Sequence, residues 1–338
     1  MIYFDVTKSA KAKQASGLMR VNRRLSEELG DAVTLVRWGE SNPPWQPDDW
    51  YLTTETFDVA QRPGFGDFLE RPPCRLAALF PDAIPLQHPK ITWPHSVVRH
   101  PGYMMALAKF DHVFAISDAV KHDLTSYWQW AGTTARAAVS TLPLGADFDG
   151  SKRHPRRDDV PPPVLLCVGI VEPRKNQSFL LRVAEEMWAR GGDFELHIVG
   201  RVNPHFGRPI AAEMRQITKR RPGFHFHEAA TDEVLARLLA RTRAVVFPTI
   251  AEGCGLPVLE ALWRGLPCVC SDLPVLRENT EAGGCVPLPT NDLEAWTEGL
   301  QRLLTDDGQW RRLADVAAAR PLPTWKESAA QIVRTLRA

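Results

Sequence analysis

Two short segments hold residue types that could do chemistry together. The first runs V-V-F-P-T-I-A-E-G-C-G-L-P-V-L-E from Val245 to Glu260. Its apolar start predicts a strand ending near Pro248, and Pro257 predicts a helix start, because proline suits the first helical position. Glu252, Gly253, Cys254 and Gly255 fall in the loop between them. Glycines let the backbone approach a ligand closely, and the free amides of a helix start make an anion site. Glu260 is placed in the first helical turn, facing the same mouth, with Glu252 in the loop before it. One patch thus offers amides for a phosphate and two carboxylates for hydroxyl groups. A plain strand-to-helix turn with two solvated glutamates would read the same way. The segment fails as a dinucleotide fingerprint, since Val258 stands where the third glycine belongs, which argues against a dehydrogenase.

The second segment is G-I-V-E-P-R-K-N-Q, Gly169 to Gln177. Arg174 and Lys175 sit side by side where the chain leaves a strand for a helix, with Asn176 as the expected cap. Adjacent cations there suit a diphosphate, Arg binding bidentately and Lys as a point charge; an ordinary solvated basic turn is the alternative. The two segments complement opposite ends of a nucleotide sugar.

The elements that must hold these loops alternate between short apolar runs and longer helical patterns. Strands are expected at Ile2–Val6, Val33–Trp38, Leu76–Phe80, His112–Ser117 and Val139–Leu144. A second set is expected at Val164–Ile170, Glu195–Val199, Phe224–His227, Ala244–Pro248, Cys268–Ser271 and Cys285–Leu288. Such alternation predicts parallel α/β sheets built from βαβ units, in two doubly wound domains. The 338 residues suit two domains. Asp149 to Pro163, charged and then proline-rich, reads as the linker. Asn42 to Pro73, rich in proline and aromatics, reads as a long loop of the kind that serves as a lid or binding segment. Ligands bind outside the carboxyl ends of parallel strands, so function is sought in the loops that follow them, along a cleft between two such domains.

Composition narrows the classes. Lys and Arg total 41 against 40 Asp and Glu, without the basic excess of a nucleic-acid binder. No apolar run is long enough to span a bilayer, and the N-terminus lacks a signal-peptide pattern, so a cytoplasmic location is expected. The six cysteines, at 74, 167, 254, 268, 270 and 285, show no zinc or disulfide spacing and are expected to be reduced and buried. Alternation is expected to place Cys268 and Cys270 on opposite faces.

With these segments in view, the chain resembles the retaining glycosyltransferases of family 4. E-G-C-G-L-P-V-L-E, with seven residues between Glu252 and Glu260, is similar to their signature, and G-I-V-E-P-R-K-N to their donor-phosphate turn. Weaker likenesses are A-S-G-L-M-R-V (Ala15–Val21), D-A-I-P-L-Q-H-P (Asp82–Pro89), A-I-S-D (Ala115–Asp118), L-P-L-G-A-D (Leu142–Asp147) and T-W-K-E-S-A (Thr324–Ala329). The mannosyltransferase-like branch that builds bacterial surface polysaccharides is the most similar.

The resemblance implies a GT-B fold, two Rossmann-like domains facing across a cleft. Residues 1–150 would form the acceptor-side domain, 151–322 the nucleotide-sugar domain, with the helix 323–338 packing back onto the first. It also implies site roles: Arg174 and Lys175 on the donor diphosphate, Glu260 on the ribose hydroxyls, Glu252 on the transferred sugar. Gly253 and the amides of Cys254, Gly255 and Leu256 would meet sugar and phosphate, and Gly17 the donor phosphates. Departure of the nucleoside diphosphate would be stabilised by Arg174, Lys175 and the helix amides, with the leaving phosphate taking the acceptor's proton and no metal or cofactor required. Asp147-Phe148-Asp149, the sole Asp-x-Asp, falls at the domain junction and reads as structural.

Two departures stand out. Cys254 replaces the usual phenylalanine, leaving a thiol that would react if exposed. Pro81 occupies the place of the histidine that often precedes the aspartate matching Asp82; Asp82 remains the candidate for contacting sugar or acceptor. Trp45, Trp50 and Trp93 are candidate sugar platforms, with core packing the alternative. Lys8, Lys11, Lys13, Arg20, Arg23 and Arg24 could face lipid phosphates at a membrane, or form a solvated helix face. The favoured reading is transfer of mannose from GDP-mannose to a saccharide or lipid-linked saccharide. Its alternatives are a UDP-sugar-dependent transferase, a catalytically weak sugar-nucleotide-binding protein and a sugar-nucleotide epimerase.

Overall fold

The computed structural model describes residues 1–11, 17–147, 152–153 and 159–338. The chain divides into two compact units, one of Met1–Phe148 with Pro323–Ala338 and one of Asp149–Leu322. Most of the expected linker, Asp149 to Pro163, lies outside the described residues, as does Lys13.

The first unit holds strands β1 (Ile2–Asp5), β2 (Thr34–Val36), β3 (Trp50–Thr53), β4 (Arg75–Phe80), β5 (His112–Ala115) and β6 (Ala138–Thr141). They form one all-parallel sheet in the order β2-β1-β3-β4-β5-β6. The strand order reverses between β1 and β3, and ligands bind at such switch points, outside the carboxyl ends of the strands.

The second unit holds β7 (Val164–Val168), β8 (Glu195–Val199), β9 (Phe224–His227), β10 (Ala244–Phe247), β11 (Cys268–Ser271) and β12 (Cys285–Leu288). Its all-parallel sheet runs β12-β11-β10-β7-β8-β9. Counted within the unit this is the 3-2-1-4-5-6 order of dinucleotide-binding folds, with its switch point between β7 and β10. Strands covered by helices on both faces read as unbroken apolar runs, as Val164–Val168 (VLLCV) and Ala244–Phe247 (AVVF) do.

The structure corrects the expected loop at Asn42–Pro73. The segment contains β3, a short helical turn Val59–Gln61 and the helix Phe65–Glu70. All four residues of β3 are buried, and the aromatics around it pack on one another. Trp45 sits edge-on to Tyr3 at 4.8 Å between ring centroids, Trp38 to Phe65 at 4.7 Å and Phe57 to Phe65 at 5.1 Å. Trp50 is 9% exposed, so it is core rather than a sugar platform, whereas Trp93 is 50% exposed.

The six cysteines are buried free thiols. Cys268 and Cys270, two apart on β11, share a face rather than opposing one another, because side chains alternate with period two. Cys285 is paired opposite Cys268 on β12. Hydrogen bonds from Cys270 and Cys285, with burial, push the Cys268 thiol well above the ordinary range.

The last helix, Trp325–Arg337, belongs to the first unit and packs on the helix Gly17–Leu29. Thr324 and Glu327 form a reciprocal cap at its start. Asp147 accepts from the Trp325 amide at 2.8 Å, and Ser328 Oγ donates to the Pro143 carbonyl at 2.7 Å. Only glycine fits at position 145, where a Cβ would lie 2.2 Å from the Trp325 nitrogen.

Candidate functional site

β7 and β10 are hydrogen-bonded neighbours, so the loops leaving their carboxyl ends meet at the switch point of the second sheet. After β7 the chain makes a tight turn, Pro173–Lys175, which presents Arg174 and Lys175. After β10 comes the loop with Thr249, Glu252, Gly253, Cys254 and Gly255. The Ile250 amide donates to the Arg174 carbonyl at 2.9 Å and ties the two loops together.

Three groups converge on one oxygen of Glu252. Oε1 accepts from Lys175 Nζ at 2.6 Å, Thr249 Oγ1 at 2.7 Å and Arg174 Nη1 at 2.8 Å. Arg174 also pairs with Glu172 at 2.9 Å and donates to the Ala251 carbonyl at 2.8 Å. Lys175 Nζ lies 4.7 Å from the centroid of the Phe247 ring, a favourable place for a cation. Burial opposes ionisation of Glu252, but the charges of Lys175 and then Arg174 outweigh it and hold the carboxyl below its ordinary range. Burial pulls the Lys175 ammonium down, against the attraction of Glu252, and Arg174 adds to the lowering. Two cations and two carboxylates therefore neutralise one another.

Gly255 has φ of 77°, and a Cβ there would lie 2.3 Å from Leu276 Cδ2. It caps the helix Leu256–Trp263, with Pro257 in its first turn. The first amides of that helix therefore start beside the Glu252 loop. Glu260 lies on the second turn of this helix, not the first, and is half-buried. Cys254 is buried, which pushes its thiol up to about 12, so it is not a reactive thiol. Asn279, on the helix Pro274–Thr280, donates to the Cys254 carbonyl and pins the loop from outside it. Asn176 starts its helix in a left-handed conformation with φ of 58°, but its side chain makes no cap. It bonds instead to the Pro248 carbonyl at 3.1 Å and to Asn291 Oδ1 at 2.9 Å, securing the same loop.

The remaining candidates lie on the first unit. Asp82 follows β4, and its Oδ1 accepts from the Ile84 amide at 3.0 Å. Its carbonyl bonds to His100 Nε2 at 2.9 Å. Gly17 begins the helix Gly17–Leu29, and a Cβ there would meet nothing within 4 Å. Of the basic residues Lys8, Lys11, Arg20, Arg23 and Arg24, Lys11 pairs with Glu40 at 2.7 Å and Arg24 with Glu28 at 2.8 Å.

The first unit's switch point holds a buried network that sequence reasoning missed. Asp5 Oδ2, at the end of β1, accepts from Arg62 Nη1 at 2.7 Å, Tyr51 Oη at 2.8 Å and Thr53 Oγ1 at 2.9 Å. Arg62 Nη2 reaches Glu55 at 3.1 Å, and Glu55 in turn accepts the amides of Lys8 and Ser9 at 2.8 and 2.7 Å. Burial would raise Asp5, but Arg62 and the hydrogen bonds from Thr7 and Tyr51 carry it below its ordinary value. Above the network lies a cavity of about 370 Å³ lined by Thr7, Lys8, Lys11, Met19, Asp58, Gln61 and Arg62.

Residues 162–306 match the family described as Glycosyl transferases group 1. A stretch of 213 residues, 58% of the chain, is 30% identical to a serotype-specific mannosyltransferase, WbdA, of Escherichia coli. It covers 26% of that protein, so the chain spans about a quarter of the relative's length. The O-antigen chain mannosyltransferase RfbU of Salmonella typhimurium is 32% identical over 201 residues, 59% of this chain and 52% of its own. The MMP alpha-(1->4)-mannosyltransferase of Mycolicibacterium hassiacum is 31% identical over 202 residues, 58% of this chain and 47% of its own. Among solved structures, sucrose-phosphate synthase from Thermosynechococcus elongatus has a TM-score of 0.74 at 16% identity, over 99% of this chain and 98% of its own. Anabaena HepE in complex with UDP and glucose has a TM-score of 0.71 at 14% identity, over 100% and 99%. At such identities the likeness establishes the fold, that of the GT-B enzymes. Among the described residues, no helix is long and apolar enough to cross a membrane.

Proposed function

We propose that the chain, whose residues 162–306 match the group 1 glycosyl transferases, transfers a hexose from a nucleotide sugar to a glycan acceptor. The observation that carries this is the convergence of Arg174, Lys175 and Thr249 on Glu252 at the β7/β10 switch point, inside the matched segment.

The donor is GDP-mannose and the product a bacterial surface polysaccharide. The mannosyltransferase names of the relatives support this reading. The diphosphate takes the donors of Arg174 and Lys175 that Glu252 now occupies. Glu252 is thereby released to accept from hydroxyls of the transferred sugar, while Glu260 meets the ribose. The amides of Gly253, Cys254, Gly255 and Leu256 face sugar and phosphate, and Gly17 the donor phosphates. Asp82 contacts the sugar or the acceptor.

As the glycosidic bond lengthens, charge builds on the leaving diphosphate, where two fixed cations and helix amides stabilise it without reorganising. Stabilisation of that charge by protein groups makes a metal ion unnecessary. Attack from the leaving-group face retains the anomeric configuration, with the phosphate oxygen taking the acceptor's proton. The acceptor is a saccharide or lipid-linked saccharide, met at the inner face of the cell membrane by peripheral contact.

The test is a thermal-shift panel of GDP-mannose, UDP-glucose and UDP-GlcNAc with EDTA, followed by product analysis with a mannose-containing oligosaccharide. A shift with GDP-mannose alone and an α-linked mannosyl product are expected. A shift with a UDP-sugar alone would make it a UDP-sugar transferase of the same fold. Binding with neither transfer nor hydrolysis would make it a sugar-nucleotide-binding protein, the reading that Pro81 favours.

A further inference from the structure

Away from the switch point, the second unit gathers ionisable side chains on one face of its edge strands. β8 and β9 are parallel, with His197 opposite His225 and Val199 opposite His227. Residues two apart on a strand share a face, so Glu195 and His197 of β8 stand beside His225 and His227 of β9. The rings of His197 and His225 stack 4.4 Å apart at 22°. One ligand atom from each of Glu195, His197 and His225 lies within 4.8 Å of the others. His197 is only 5% exposed, whereas Glu195 and His225 are half-buried and reachable from solvent.

We propose that Glu195, His197 and His225 form a binding site for a divalent transition-metal ion of the zinc class, with His227 and Arg241 as orienting partners. Two imidazoles and a carboxylate are a donor set zinc accepts, with a fourth position left to water. Tetrahedral arms of about 2.0–2.1 Å put ligand atoms roughly 3.3 Å apart. Glu195 Oε2 and His197 Nε2 are now 2.8 Å apart, so they must open slightly, while the half-exposed His225 ring turns inward.

The orienting contacts are already made. Glu195 Oε1 is held by Arg241 Nη2 at 2.8 Å, which leaves Oε2 for the ion. His197 Nδ1 lies 3.0 Å from His227 Nε2. Binding through His197 Nε2 makes Nδ1–H the donor in that bond, and such a partner fixes both ring orientation and tautomer. Burial lowers the His197 pKa against the pull of Glu195, and His225 and His227 lower it further; His227 is also lowered, chiefly by burial. The ion would staple β9, the outermost strand of its sheet, to β8. This proposal stands apart from the reading of the donor site and involves none of its residues.

The test is calorimetric titration of the chelator-stripped full chain with ZnCl₂ at neutral pH, with Co²⁺ absorption as the geometric readout. One equivalent bound at micromolar Kd or tighter is expected, with the intense visible bands of tetrahedral Co²⁺. His225→Gln and Glu195→Gln should each weaken binding at least tenfold, whereas His95→Gln in the first unit should not. Both variants alter partly exposed side chains, so their melting curves without metal should match the wild type. Absence of saturable binding, or binding unchanged in both cluster variants, would overturn the proposal.

Discussion

Glu252 is a carboxylate with one oxygen saturated by three donors, two of them cationic. Removing it leaves Arg174 and Lys175 without their shared partner, and removing Lys175 leaves the leaving diphosphate with one cation fewer. Glu252→Ala and Lys175→Ala should each lower transfer about 100-fold or more, a few kcal/mol of barrier, with the fold intact by circular dichroism. Wild-type turnover in both would remove these residues from the reaction. Asp5 plays a structural part of similar form. It is fully buried and paired to Arg62, so Asp5→Asn strips a buried guanidinium of its closest charge. Breaking one side of a buried pair costs about 3–5 kcal/mol, to be read as a drop in the urea midpoint. Arg174, Lys175 and Glu252 were legible in the sequence because each lies in a short motif following a strand. The Asp5–Arg62 pair was not, since its members are 57 residues apart and meet only in the folded sheet. The cluster of Glu195 and three histidines was hidden for the same reason, its members being divided between two strands.

The elements were most readable where packing leaves one solution. Glu195–Val199, Phe224–His227, Cys268–Ser271 and Cys285–Leu288 fall where the sequence puts them; Cys268–Ser271 is the short, nearly apolar run that a buried parallel strand needs, whereas Phe-His-Phe-His at the sheet edge alternates apolar and polar side chains. β3 escaped because Trp-Tyr-Leu-Thr sits among prolines that read as loop. Its aromatic neighbours, which looked like a lid, are the packing that buries it. The turn into the helix Leu256–Trp263 depends on Gly255. An alanine there would be held at positive φ with its Cβ against Leu276. Strain and overpacking together should cost about 2–4 kcal/mol, and nucleotide binding should weaken with it. A Gly255→Ala variant that melts and binds as the wild type does would show that the loop can be built another way.

At the scale of the whole molecule, the first unit is completed by residues from the far end of the chain. Truncation after Leu322 removes the helix Trp325–Arg337, whose Trp325, Ile332 and Leu336 are buried. The expected result is loss of the first unit's melting transition while the second unit's persists; an unchanged first transition would contradict it. Stability should also depend on pH through His100, whose burial lowers its pKa to about 4. An unfolded histidine titrates near 6.5, so between about 6.5 and 4 the unfolded chain binds a proton the folded chain does not. Stability is then full above about 6.5 and falls by up to about 3 kcal/mol as the pH drops towards 4. His100→Gln should flatten that part of the profile.

The most direct measurement is calorimetric titration of the full chain with GDP and GDP-mannose in EDTA, for the wild type and for a variant with Arg174→Met and Lys175→Met. Saturable binding by the wild type, lost or weakened at least 100-fold in the variant at unchanged melting temperature, is expected if the β7/β10 loops hold the donor diphosphate. Equal affinity in the two proteins would contradict it.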